Sequence, residues 1–303
     1  MEKIHHLKHH EIDKSRWDEV IEKSIQGRIY ATSLWLDCVS PNWDALIYGD
    51  WEILMPLPVK RKFGIRYLAQ PPLTQQLGFY SLSEIDIKIL EVFYQKMISL
   101  FSYGNINVYH NFHPEGYAVT KRKNYILSLK RQYIQINNGY SRSVRANIRK
   151  SKKINLSLKT SSEIDVSVQK IKAIHISRIK SEGKIYDFLK ILFNQFSKTG
   201  QSFVLEAFDC NDEFLGNAVY FKDTKRIYEI AAAFNKKGRD LEAHPFLIDH
   251  VLEKHSDTDY IFDFEGSNIP GIEKFNQSFG AQLEPYYAVS WNNLPLPLRL
   301  FKK

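Results

Sequence analysis

The 303-residue sequence predicts a mixed α/β protein built as two similar domains in tandem. Three observations predict it. At roughly 150 residues per domain the length suits two cores better than one. Hydrophobic residues make up 44% and charged residues 25%, the balance of a folded chain and not of a disordered, collagen-like or coiled-coil one. The order helix, antiparallel strands, helix, strand then occurs twice. The longest apolar runs, 230–234 and 53–57, are far shorter than the roughly 18–20 residues that a bilayer span needs. The first twenty residues carry four histidines where a secretory leader needs an apolar stretch, so a cytoplasmic location is expected.

In the first half, Asp13 ahead of Trp17, Val20 and Ile21 reads as a capped helix start, and residues 32–39 as a short helix stopped by Pro41. Residues 43–48 and 51–59 are β-rich runs around Gly49-Asp50, a hairpin signal. Strand pattern continues at 64–70 and 77–80. Ser81 with Glu84 forms a capping box ahead of Ile85, Ile89, Phe93, Met97 and Phe101, one apolar stripe at spacing four and therefore a long amphipathic helix. Residues 105–110 and 125–129 close this half as strands.

The second half repeats the order. A basic helix is expected over 141–153, a strand over 154–158, and a helix capped by Ser162 and Asp165. Residues 185–196 form a further helix that Gly200 stops. Runs 202–208, 214–221 and 226–234, joined at Asn211-Asp212 and Asp223-Thr224, predict an antiparallel meander. Helix 243–255, strand 260–264, helix 269–279 and strand 282–291 follow. The hinge at 135–140, with Asn137-Asn138-Gly139, places the boundary between domains 1–136 and 137–303.

Lys plus Arg number 42 against 34 acids, and the net charge of +8 is unevenly spread. Residues 116–162 hold twelve cations and no acid, whereas 240–290 hold ten acids against Lys254 and Lys274. A local excess of that size concentrates phosphates: a nucleotide, a nucleotide-linked carrier or tRNA. Its bland alternative is a solvated basic helix.

The run 263–271 (Asp-Phe-Glu-Gly-Ser-Asn-Ile-Pro-Gly), continuing through Phe275, Phe279-Gly280-Ala281 and Tyr286-Tyr287, resembles the C-terminal signature of the FemABX peptidyltransferases and related tandem-GNAT acyltransferases. The basic segment 141–150 is similar to the helix that opens their second domain. The doubled order of elements is also that of a GNAT acyltransferase. This resemblance implies two GNAT-like domains, the first degenerate and the second carrying the donor site. It implies acyl or aminoacyl transfer to an amine on a cell-wall precursor or metabolite. The donor would be an acyl-CoA or aminoacyl-tRNA, with no tightly bound cofactor. The pyrophosphate loop of acyl-CoA users has one glycine left here, Gly238, and Glu242 stands where a second would admit phosphate.

Residue chemistry supplies the candidates. Glu229, midway along 226–234, is desolvated by Ile230 to Ala233 and suits a proton acceptor for the attacking amine. Tyr286 or its neighbour Tyr287 can protonate the leaving group, since alternation turns only one of them inward. Glu265 and Ser267, at the end of a strand, can act in catalysis and at the donor respectively. Lys236, Lys237 and Arg239 can contact donor phosphate, and Arg145, Arg149 and Lys150 share a helical face that can hold the substrate carrier. The alternative is a non-catalytic GNAT-fold module that binds a phosphorylated ligand or RNA through 116–162. Other features are bland. Cys38 and Cys210 read as reduced thiols packed in the core, and His5, His6, His9 and His10 as a histidine-rich first strand with no metal site. The five tryptophans read as core residues.

Overall fold

The computed structural model describes residues 4–176, 183–266, 268–296 and Arg299. The chain divides into two units, the first made of Met1–Arg122 and Pro285–Lys303, the second of Lys123–Glu284.

The first unit runs β1 (Ile4–Leu7), α1 (Lys14–Lys23), α2 (Ser33–Val39), β2 (Asp44–Tyr48), β3 (Ile53–Leu57), β4 (Val59–Lys62), β5 (Ile65–Ala69), β6 (Tyr80–Ser81), α3 (Ile87–Leu100) and β7 (Tyr103–Val108). Strands β1, β2, β3 and β6 form an antiparallel sheet in that order. The hairpin β4–β5 joins β7, which pairs with the last strand of the chain, β14 (Gln282–Asn292), over Tyr287↔Val108 to Asn292↔Tyr103. Helix caps follow the local sequence: Asp13 accepts from Arg16 N and Thr32 from Trp35 N. Helix α3 departs from expectation. It starts at Ile87 under an Asp86 cap, because Ser81 is taken into β6 opposite Ile53. Trp17, Trp35 and Trp43 are fully buried, each sealing apolar area at roughly 25 cal/mol per Å². Trp51 is half-buried under the Arg16 guanidinium. Of the histidine-rich start, His5 and His6 lie in strand β1, His6 reaching Asp44 at 2.8 Å, whereas His9 and His10 lie in a 3-10 turn that follows it. Cys210 is exposed and Cys38 half-buried, so the expected core packing fails for Cys210.

The second unit contains most of β8 (Ala118–Ser128), then α4 (Tyr133–Asn138), α5 (Arg142–Lys153), β9 (Ser157–Ser161), α6 (Ile164–Ile176), α7 (Lys184–Phe196), β10 (Ser202–Phe208), β11 (Phe214–Lys222), β12 (Arg226–Phe234), α8 (Lys236–Asp240), α9 (Ala243–Lys254), β13 (Ile261–Asp263) and α10 (Pro270–Gln277). Its strands lie in the order β8, β13, β12, β11, β10, β9. The meander β10–β11–β12 stands where the turn residues predict it. Strand β9 begins three residues later than expected. Leu247, Ile248, Val251 and Leu252 on α9 are buried, each contributing about 1.5–3 kcal/mol.

The expected boundary at 136/137 lies inside this unit. Residues 133–138 are a helix, Ser141 N donates to Ser278 O at 2.7 Å, and a Cβ on Gly280 would stand 2.8 Å from the Gly139 carbonyl oxygen. That segment is packed and not a hinge. The units instead divide at 122/123, within β8, and at 284/285, within β14.

Candidate active site

Strand β12 carries two irregularities where a functional strand would use them. Val219 faces Ala231 while Tyr220 faces Glu229, so Ile230 is an extra, bulged residue. On the other side, the parallel pairing with β13 lasts only from Arg226↔Ile261 to Tyr228↔Asp263. Among the described residues no strand continues that ladder, so β12 runs on from Glu229 to Phe234 beside a gap in the sheet. Small side chains at Ala231, Ala232 and Ala233 line this stretch.

Glu229 is at the start of the gap, its side chain 10% exposed. Tyr220 donates from its hydroxyl to Glu229 Oε2 at 2.6 Å, and His244 Nε2 meets Glu229 Oε1 at 2.7 Å. The imidazole is sandwiched between Phe234, 4.7 Å away between ring centroids, and Phe275, 4.9 Å away, both stacked. Three elements therefore converge on one carboxylate: β12 supplies it, β11 a phenol, and the first turn of α9 an imidazole. Burial, with the Glu229 charge beside it, pushes the Tyr220 hydroxyl well above its ordinary pKa, so it stays a donor. Among the described residues His244 Nδ1 has no hydrogen-bond partner and is the open end of the pair. The base of β12 is fixed by a buried cluster. Arg226 bonds Asp263 at 3.0 Å and chelates Glu284 at 2.8 and 2.7 Å, while Asn124 donates to both carboxylates.

Sequence reasoning placed Glu229 at this centre and missed His244, Tyr220 and Arg226. The only signal for His244 was a histidine beside Pro245 at a helix start. Glu265 stands beyond β13 in a left-handed conformation, φ 59°, and burial pushes its carboxyl up to about 8. Ser267 lies outside the described residues. Tyr286 and Tyr287 are both buried on β14 in the first unit, and Tyr287 belongs to that unit's core.

Two of the three cations expected at a donor phosphate have other partners. Lys237 pairs with Asp209 and Glu213, Arg239 donates to the Phe234 carbonyl, and Lys236 is exposed. Residues 236–240, in the stretch compared with the pyrophosphate loop, form helix α8. Asn235 Oδ1 accepts from Gly238 N at 2.7 Å, and a Cβ on Gly238 would lie 2.3 Å from Leu215 O, so the one remaining glycine serves packing against β11. Glu242, at φ 59°, occupies the left-handed position before α9 that a glycine would fill.

The α5 cations also turn to carbonyls. Arg145 donates to Asn138 O at 2.9 Å, Arg149 to Arg145 O at 3.3 Å, and Lys150 to Asp240 O at 3.2 Å, which satisfies the last turns of α4 and α8. Elsewhere in the basic segment Lys123, Lys130, Lys152 and Lys159 pair with Glu273, Asp259, Asp249 and Asp212. No described helix is long and apolar enough to cross a membrane.

The fold and this interrupted sheet define the class: a mixed α/β protein of two GNAT-like domains in tandem, the fold of FemX. Among particular solved structures, FemX superposes with a TM-score of 0.71 at 11% identity, over 96% of this chain and 98% of its own. A tandem GNAT protein from the clavulanic acid biosynthesis pathway gives 0.58 at 9% identity, over 97% of this chain and 99% of its own. The C-terminal domain of a putative lysylphosphatidylglycerol synthetase from Agrobacterium fabrum gives 0.56 at 11%, over 95% and 94%. No protein-family profile and no curated protein sequence matches the chain. At these identities the likeness carries the fold.

Proposed function

We propose that this protein transfers an acyl or aminoacyl group to an amine, with Glu229 as the proton acceptor of the second unit. The observation that carries this is the placement of a nearly buried carboxylate, held by Tyr220 and His244, beside the bulged and one-sided stretch of β12. A neutral amine attacks the donor carbonyl, whose oxygen lies against the edge of β12 at residues 230–232, beyond the end of its pairing with β13. The ammonium proton passes to Glu229, directly or through a water. Collapse of the tetrahedral intermediate forms the amide and breaks the bond to the carrier, which takes the proton back from Glu229, directly or through a water, and leaves as a thiol or ribose hydroxyl.

An aminoacyl-tRNA suits the donor side better than an acyl-CoA. The amide NH of Gly238 is already capped, and the Glu242 carboxylate stands next to the start of α9, where pyrophosphate would have to come. A cell-wall precursor or other metabolite amine is the acceptor class in this proposal. Binding without catalysis through the basic segment has less support, because so many of its cations are engaged within the unit.

Two measurements test the proposal. Melting-temperature shifts with CoA thioesters and with charged tRNA identify the donor, since a ligand of the native state raises the transition. Glu229→Gln should then lower transfer by about 10²–10⁴-fold while donor binding persists. Equal transfer by wild type and Glu229→Gln would remove Glu229 from the reaction.

A further inference from the structure

A second feature belongs to the first unit and is independent of the transfer reaction. Strands β4 and β5 form a hairpin whose turn is Phe63-Gly64, and β4 is an edge strand among the described residues. Phe63 is 89% exposed, the most exposed large hydrophobic residue described. It also adopts a left-handed backbone, φ 50°, which is strained for an aromatic residue. Lys60, Arg61, Lys62 and Arg66 flank it in the hairpin sequence, and the sequence holds no acid between Glu52 and Glu84.

The register makes the concentration of charge costly. Arg61 lies directly opposite Arg66, a like-charge cross-strand pair. Arg66 is relieved by Asp44 and by the Phe101 ring, whereas Lys60, Arg61 and Lys62 make no ion pair among the described residues. Lysines on an edge strand do guard against edge-to-edge pairing. That purpose explains the cations and leaves the strained, solvent-exposed phenylalanine at the tip unexplained.

We propose that this hairpin docks the protein on an anionic lipid surface, Phe63 entering the interface while Lys60, Arg61 and Lys62 meet headgroup phosphates. An apolar ring at the apex with cations behind it on the strand matches a surface that is apolar beneath and negative above. The long stems of lysine and arginine let their charges stay at headgroup level as the ring enters. A nucleic acid fits less well. Lys62 Nζ sits 5.4 Å from the Phe63 ring centroid, over the face that a base would stack on.

The test is sedimentation of the full chain with vesicles of phosphatidylglycerol and phosphatidylcholine in equal parts, against phosphatidylcholine alone. Wild type should bind the anionic vesicles only, and lose binding in high salt. Lys60→Gln, Arg61→Gln and Lys62→Gln should each weaken it about fivefold, and together roughly a hundredfold. Phe63→Ser should weaken it at least tenfold with the melting temperature unchanged. Phe63→Trp should show a blue-shifted emission on anionic vesicles, a readout that does not depend on the multiple variant folding. Absence of binding to anionic vesicles, binding that both sets of variants retain, or a preference for poly(U) that Phe63→Ser abolishes would overturn the proposal.

Discussion

At the scale of single residues, one carboxylate was legible and its partners were not. Glu229 could be picked out because an acid among Ile230 to Ala233 must be desolvated in any strand. His244 is fifteen positions further along, on another element, and only the packing of its ring between Phe234 and Phe275 holds it at Glu229. Arg226 was likewise invisible, although it holds two acids from β13 and β14. Arg226→Met should cost about 3–5 kcal/mol in urea unfolding, because it leaves Asp263 buried without its counter-charge. Glu265 gives a pH signature. Burial raises its carboxyl from an ordinary value near 4.5 to about 8, so between those values the folded chain keeps a proton that the unfolded chain has lost. Its contribution is therefore intact below about 4.5 and falls as pH rises to about 8, by a few kcal/mol. Glu265→Gln should flatten the decline in unfolding free energy between pH 5 and pH 9.

At the scale of elements, what was legible was what local forces decide. The caps at Asp13, Thr32 and Ser141 are hydrogen bonds within four residues, and the helices they open are where the sequence puts them. The Ser81–Glu84 cap failed because a strand pairing distant in sequence claimed Ser81 first. Helix α8 was missed because its five residues include a glycine, and its stability comes from the Asn235 cap and its contact with β11. Strand β7 shows the same dependence on packing. Gly104 faces Trp291, and a Cβ there would stand 2.1 Å from the indole. Gly104→Ala should thus destabilise the first unit by about 1–3 kcal/mol, read as a lowered melting temperature, through overpacking.

At the scale of the whole molecule, the doubled order of elements was legible because each unit repeats the same periodicities. The domain boundary was not. Asn137-Asn138-Gly139 has the composition of a linker, but the Gly139 carbonyl packs against Gly280, where a Cβ would stand 2.8 Å from it. Nothing local announces that the last strand returns to pair with β7. A fragment of residues 137–303 would lack the β8 partner of β13 and would carry β14 without β7. It should show no cooperative thermal transition by circular dichroism, whereas the full chain should.

The basic segment was legible as charge and its partners were not, since composition counts lysines without showing the acids and carbonyls that take them up. The crystal structure of the protein with an unreactive donor analogue tests the central claim most directly. The donor carbonyl is expected against the backbone of residues 230–232, with an open path to Glu229. A donor bound elsewhere, or one that leaves the gap beside β12 closed, would contradict it.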